Sequence, residues 1–120
     1  MKTIKICLCI IFILVAHKAR AYGQDIITTN SGPLTITFIR HASLAFNFNG
    51  KLILVDPVAK MGDYSKFKLV DIILVTHEHR DHFDPAFIRK LRWAGTKVVL
   101  TRACAAMGVS GIDVRIRNMP

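Results

Sequence analysis

Apolar and polar positions change their spacing several times along the chain, and each change marks an element. Leu34-Thr35-Ile36-Thr37-Phe38-Ile39 alternates, which is strand periodicity with Leu34, Ile36 and Phe38 on one face. Arg40-His41-Ala42-Ser43 interrupts the pattern, and Leu44-Ala45-Phe46-Asn47-Phe48 resumes it with Leu44, Phe46 and Phe48 turned inward. Asn49-Gly50 follows; both residues tolerate the positive φ of a type I′ turn, so Lys51–Val55 is the returning strand of a hairpin. Three antiparallel strands therefore open the fold. Val58 to Lys68 has little period and reads as a loop with one helical turn. Val70 to Val75 is too uniformly apolar to own a wet face, so it is expected at the centre of a sheet and covered on both sides.

The spacing then becomes helical. Asp84 is an N-cap and Pro85 suits the first helical position. Phe83 and Ile88 can staple the helix entry, Phe87, Ile88 and Leu91 recur at helical spacing, and Gly95 ends the helix after Trp93-Ala94. Trp93 reads as a packing residue. Lys97–Thr101 is another strand, Ala103 to Met107 a short helix, and Ile112, Val114 and Ile116 alternate in a last strand with a basic outer face. Tyr22 to Ser31 is polar and reads as a loose lead-in, punctuated by Gly32-Pro33. No internal repeat or second domain is visible. The organisation is 1–21 leader, 22–33 lead-in and 34–120 one domain.

Composition changes the picture at the amino end. Met1 to Lys5 is basic, Ile6 to Ala16 is an apolar run of eleven residues, and Ala19-Arg20-Ala21 is a small-x-small end. Together they read as a secretory signal peptide cleaved after Ala21, which places the protein outside the cytoplasm, periplasmic or secreted. The run is short of the ~20 residues a transmembrane helix needs, so a membrane anchor is the weaker reading. Cys7 and Cys9 lie within the run and not at its end, so no lipid-modified cysteine is read there. Loss of Lys2, Lys5, Lys18 and Arg20 reduces the net charge from +9 to +5, with 13 of the 17 basic residues left against 8 acidic ones. That excess is scattered, so nucleic-acid binding is unsupported. Cys104 is then the remaining cysteine, expected to be buried and inert, with no disulfide to staple the fold.

The chemistry is concentrated in Thr76-His77-Glu78-His79-Arg80-Asp81-His82, directly after Ile72-Ile73-Leu74-Val75. Imidazole nitrogens and carboxylate oxygens are the donors that borderline divalent metals, zinc above all, prefer. In an extended segment residues two apart point the same way, so His77 and His79 can reach one ion together. Asp81 and His82 come where the chain turns toward the helix and can aim at a second. A solvated His-rich loop is the bland reading, but here a buried strand and a capped helix bracket the cluster.

His-x-His-x-Asp-His in that setting resembles the signature of the metallo-β-lactamase superfamily. The resemblance extends to Ile36–Ser43 and Gly50–Pro57, which look like the opening of its branch of lactonase-like metal-dependent hydrolases. It implies an α/β (α+β) fold, the amino-terminal half of a four-layer αββα sandwich, a mixed sheet with flanking helices. It also implies hydrolysis of a small-molecule substrate by a metal-bound hydroxide, made at neutral pH because the metal acidifies its water. By position His77 and His79 would hold a first metal and Asp81 and His82 a second, zinc foremost, with manganese or iron as alternatives. Asp81 would also be the catalytic residue that orients the attacking water. Asp56, before Pro57, matches an aspartate that braces the histidine loop from behind; the alternative is a plain turn carboxylate. His41 matches the histidine of a Gly-His-Ser-like element, with Arg40 where glycine is usual, and it either contacts substrate and metal-bound groups or hydrogen-bonds within a bend.

The superfamily draws further ligands from the second half of its sandwich, and no histidine follows His82 here. The expectation is therefore a truncated hydrolase whose remaining donors lie in a missing carboxyl-terminal half. The competing expectation is a non-catalytic half-domain that binds metal weakly, self-associates or pairs with a partner chain. Lactone, phosphoester and β-lactam cleavage all fall within the implied chemistry.

Overall fold

Seven strands lie in sequence order in one sheet of the computed structural model, which describes residues 22–107 and the backbone of 114–116. The signal-peptide reading of Met1–Ala21, and Ile112 of the last strand, fall outside the described residues. β1 (Gly23–Thr29), β2 (Gly32–Arg40), β3 (Ser43–Phe48) and β4 (Lys51–Val55) pair antiparallel, then β5 (Ile72–Leu74), β6 (Lys97–Leu100) and β7 (Val114–Ile116) continue parallel to β4. The mixed α/β sheet matches the fold class read from the sequence. Asn49 and Gly50 take φ of 49° and 75°, the left-handed pair a type I′ turn requires.

Parallel strands need a crossover, and those from β4 to β5 and from β5 to β6 lie on one face of the sheet. The first carries a 3-10 turn (Ala59–Met61) and Tyr64; the second carries helix α1 (Pro85–Leu91). Asp84 caps α1 by accepting from the Phe87 amide at 3.0 Å, and its other oxygen accepts from the Ala59 amide at 3.2 Å, so the cap also ties the two crossovers together. Ile88 is sealed against the sheet with Leu54, Ile73, Val70 and Val98. Each such side chain contributes about 1.5–3 kcal/mol by leaving water. A second short helix, α2 (Arg102–Ala106), is capped by Thr101 and buries Cys104. No helix among the described residues is long and apolar enough to cross a membrane.

Four expectations are corrected. Residues 23–29, read as a loose lead-in, form the edge strand β1. Its Ile26-Ile27 pair hides any alternation, and it is held by seven backbone register pairs to β2 that leave no sequence period. Leu44, Phe46 and Phe48 are not the inward set. The register puts Thr37, Ala45, Leu54, Ile73 and Val98 on the helix-covered face, and these are the buried ones. Leu34, Ile36, Leu44, Phe46, Ile53, Val55, Leu74 and Val99 share the opposite face and stay half-buried, with Phe38 46% exposed. β5 is accordingly central but covered on one side among the described residues: Ile73 is sealed, whereas Ile72 and Leu74 are half-buried. A strand apolar on both faces implies two covering layers, and the described residues supply one. Helix α1 also stops early. Arg92 leaves it extended, and Trp93 turns its indole N–H to the Val70 carbonyl at 3.0 Å, a partner it could not reach from a continued helix.

Candidate metal centre

β2 and β4 both run antiparallel to β3, and β5 runs parallel to β4, so β2, β4 and β5 end at the same edge of the sheet. His41 follows β2, Asp56 follows β4, and Thr76–His82 follows β5. The topology brings together three segments of the sequence that composition alone leaves unconnected. Ligands commonly lie at this carboxyl edge of an open sheet.

Asp56 is the fixed point. It is 1% exposed, has a φ of 45°, and its amide donates to the Leu74 carbonyl at 2.9 Å. Its side chain meets three donors: the Thr76 amide at 2.7 Å on Oδ1, and the Thr76 hydroxyl at 2.6 Å and His82 Nδ1 at 2.7 Å on Oδ2. A carboxylate only accepts, so Nδ1 of His82 carries its proton and Nε2 is left with a lone pair. The same logic passes one residue further. The Thr76 hydroxyl has one proton and gives it to Asp56, so the 2.9 Å contact between Thr76 Oγ1 and His77 Nδ1 must use the proton of the imidazole. His77 is thereby also held with Nε2 free. One buried carboxylate sets the tautomer of two imidazoles, one directly and one through a hydroxyl, which is the arrangement that orients and strengthens metal-binding histidines.

The rings converge. His77 and His82 have centroids 3.9 Å apart, and His79 stands edge-on to His77 at 4.7 Å. The His82 amide donates to the His79 carbonyl at 2.9 Å, so a tight turn returns Asp81 and His82 toward the histidines that precede them. Asp81 Oδ2 lies 3.7 Å from His82 Nε2 and 2.9 Å from His41 Nε2. The Asp81 carboxyl is held below its ordinary value by its own backbone amide and then by the His41 ring, with partial burial opposing. His77, Asp81 and His82 thus lie together, with Asp56 behind them and His41 beside Asp81, whereas His79 meets only the His77 ring and enters neither close grouping of donor atoms.

Nitrogen and oxygen donors of this kind suit a borderline divalent ion, and among the described residues two groupings place one donor atom per residue within 4.8 Å of the others: His41, Asp81 and His82, and Asp56, His77 and His82. The second uses Asp56, whose side chain is already engaged by three donors and sealed from solvent, and through them it braces Thr76 and His82. Two residues of the edge carried no weight in the spacing argument. Thr76 passes the order of Asp56 to His77, and Ser43 donates to the Asp56 carbonyl at 2.6 Å, locking the start of β3 to the end of β4. The signal for Thr76 was available: a hydroxyl directly before the first histidine, at the end of a buried strand.

A sheet of this order that presents a His-x-His-x-Asp-His turn at its carboxyl edge defines a class of metal-site fold. Residues 35–119 match the family model of the beta-lactamase superfamily domain, and the chain belongs to the metallo-β-lactamase superfamily. It is 37% identical over 57 residues to a UPF0173 metal-dependent hydrolase of Sulfolobus acidocaldarius, a stretch that covers 42% of this chain and 25% of that protein. A crystal structure from Parabacteroides distasonis, assigned as a metal-dependent hydrolase, superposes with a TM-score of 0.70 at 38% identity, covering 78% of this chain and 43% of the other. Igni18, a metallo hydrolase of Ignicoccus hospitalis, shares the fold with a TM-score of 0.55 at 21% identity over 72% of this chain and 40% of its own. The chain therefore spans less than half the length of each of these relatives.

Proposed function

We propose that this chain carries the metal-gathering half of an exported hydrolase that cleaves a small molecule at a carbonyl or phosphoryl centre. His77 and His79 hold one divalent ion, zinc foremost, Asp81 and His82 take part in holding a second, and Asp56 braces both through Thr76 and Nδ1 of His82. A divalent ion there would polarise the attacked oxygen and lower the pKa of a water toward neutrality. Asp81, whose Oδ2 faces the convergent rings, orients the attacking water. The reading rests on the Asp56 network, which leaves Nε2 of both His77 and His82 available as ligands. The relatives of greater length and the half-exposed apolar sheet face support further donors arriving on a segment that packs against that face.

The test is zinc competition against a chromophoric chelator, followed by hydrolysis assays on lactone, phosphodiester and β-lactam probes with and without chelator. The expected result is zinc binding that is lost in the His77→Asn, His79→Asn double variant and chelator-sensitive cleavage of one probe class once the face is covered. Failure of the wild-type chain to bind any divalent ion would overturn the reading. Mass spectrometry of secreted protein, expected to begin at Tyr22, tests the export part.

One observation favours a second reading, a half-domain that associates through its sheet. Ile27 and Phe38 are 48% and 46% exposed beside the half-buried Leu44, Phe46, Ile53 and Val55. Contiguous apolar surface of this kind marks an interaction site. Sedimentation of the wild type against Phe46→Lys separates a chain that self-associates from one that stays monomeric.

A further inference from the structure

We propose that His41 is a metal ligand, the third protein donor to the ion shared by Asp81 and His82. The inference rests on the metal-centre reading above and extends it to a residue outside the His-x-His-x-Asp-His turn, 40 positions away in sequence.

Three observations carry it. Nε2 of His41 and Nε2 of His82 both approach the same carboxylate oxygen of Asp81, at 2.9 and 3.7 Å, and the two rings stand edge to face with centroids 5.3 Å apart. Donors that share one ion at about 2.0–2.2 Å stand about 3 Å or slightly more apart, so this spacing is already close to that of a ligand set. The backbone is committed to the placement. The β2–β3 register shifts between Phe38 and Arg40, and His41 adopts a φ of 55°, a left-handed conformation uncommon outside glycine that histidine accepts more readily than most residues. That bend, locked by Ser43 on the Asp56 carbonyl, turns the ring over the edge toward Asp81. Finally, His82 has its other nitrogen engaged by Asp56, so the nitrogen it turns to Asp81 is the one with a lone pair. Without an ion, the Asp81 carboxylate accepts the proton on His41 Nε2; an ion between them requires the neutral ring with its proton on Nδ1. Two imidazoles and a carboxylate are the donor set of many three-ligand divalent sites, which keep a fourth position for water.

The experiment loads the full chain with zinc or cobalt(II) alone. It compares wild type with His41→Gly, His41→Asn and His82→Asn. Glycine and asparagine both accept left-handed backbone, so either variant keeps the bend while removing the imidazole. Chelator competition gives the zinc affinity, and the visible cobalt(II) absorption reports the donors around the ion. We expect both His41 variants to lose tenfold or more in affinity and to shift the cobalt band, as His82→Asn does. Wild-type affinity and an unmoved band in the His41 variants, with loss in His82→Asn, would overturn the role of His41 and leave the metal centre standing. Lower affinity with an unmoved band would also overturn it, since His41 would then act only by positioning Asp81. No ion bound by the wild type would overturn both.

Discussion

Asp56 Oδ2 lies 2.7 Å from Nδ1 of His82, across 26 residues of sequence, and this pair ties the end of one strand to the turn after the next. The same oxygen accepts the Thr76 hydroxyl, so the order of the site is stored in one sealed carboxylate. Its backbone sits in the left-handed region, a conformation kept only where surrounding contacts over-determine it.

Asp56→Asn keeps the volume but sets an amide N–H against at least one of three donors. It is expected to cost about 2–3 kcal/mol of stability, the scale of breaking buried hydrogen bonds to a charged group, and to weaken zinc binding by about 10–100-fold. Urea unfolding and chelator competition on the same preparation measure both losses.

Thr76→Val removes the hydroxyl that fixes His77 and, with it, one of the three donors to Asp56. Zinc affinity should fall about tenfold or more, whereas Thr76→Ser should retain it because the proton path from His77 to Asp56 survives. Equal affinity for the valine and serine variants would show that the hydroxyl does not set the His77 tautomer.

Ile88 is the residue through which α1 grips the sheet, fully buried among Leu54, Ile73 and Val98. Ile88→Ala is expected to lower stability by about 2–4 kcal/mol. Since α1 starts directly after the His79–His82 turn, circular dichroism melts with and without added zinc should both shift downward.

Asp71 accepts from Lys51 Nζ at 2.8 Å and from the Leu52 amide at 2.9 Å, which hold its carboxyl below the ordinary 3.8. A carboxyl depressed in the folded state stabilises above its unfolded value, and that contribution disappears as pH falls through the folded value. The urea midpoint should therefore decline below about pH 4, and Lys51→Ala should flatten the decline without abolishing it, since the Leu52 amide remains.

Much of this was legible along the chain. The hairpin at Asn49-Gly50, the cap at Asp84-Pro85 and the apolar run into His77 are local signals, because a turn, a helix end or a strand is decided by neighbours a few residues away. The clustering of His77, His79, Asp81 and His82 is local in the same sense, because one short turn carries all four. Which face of each strand would be buried was not legible. Alternation separates two faces but does not say which receives a helix, and here the larger residues, Leu44, Phe46 and Ile53, lie away from α1 while Ala45 and Thr37 lie beneath the crossovers.

What the sequence by itself determined is the chemistry: imidazoles and a carboxylate at metal-binding spacing, delivered by a buried strand. What tertiary structure alone decided is their state and their company. Only the common direction of β2, β4 and β5 brings His41, Asp56 and Thr76 to one edge, and only there can a carboxylate dictate which nitrogen of His77 and His82 keeps its proton. The reason is physical: a tautomer is chosen by the hydrogen-bond partner it meets, and those partners lie about 20 and 26 residues apart along the chain, adjacent only once the strands have paired.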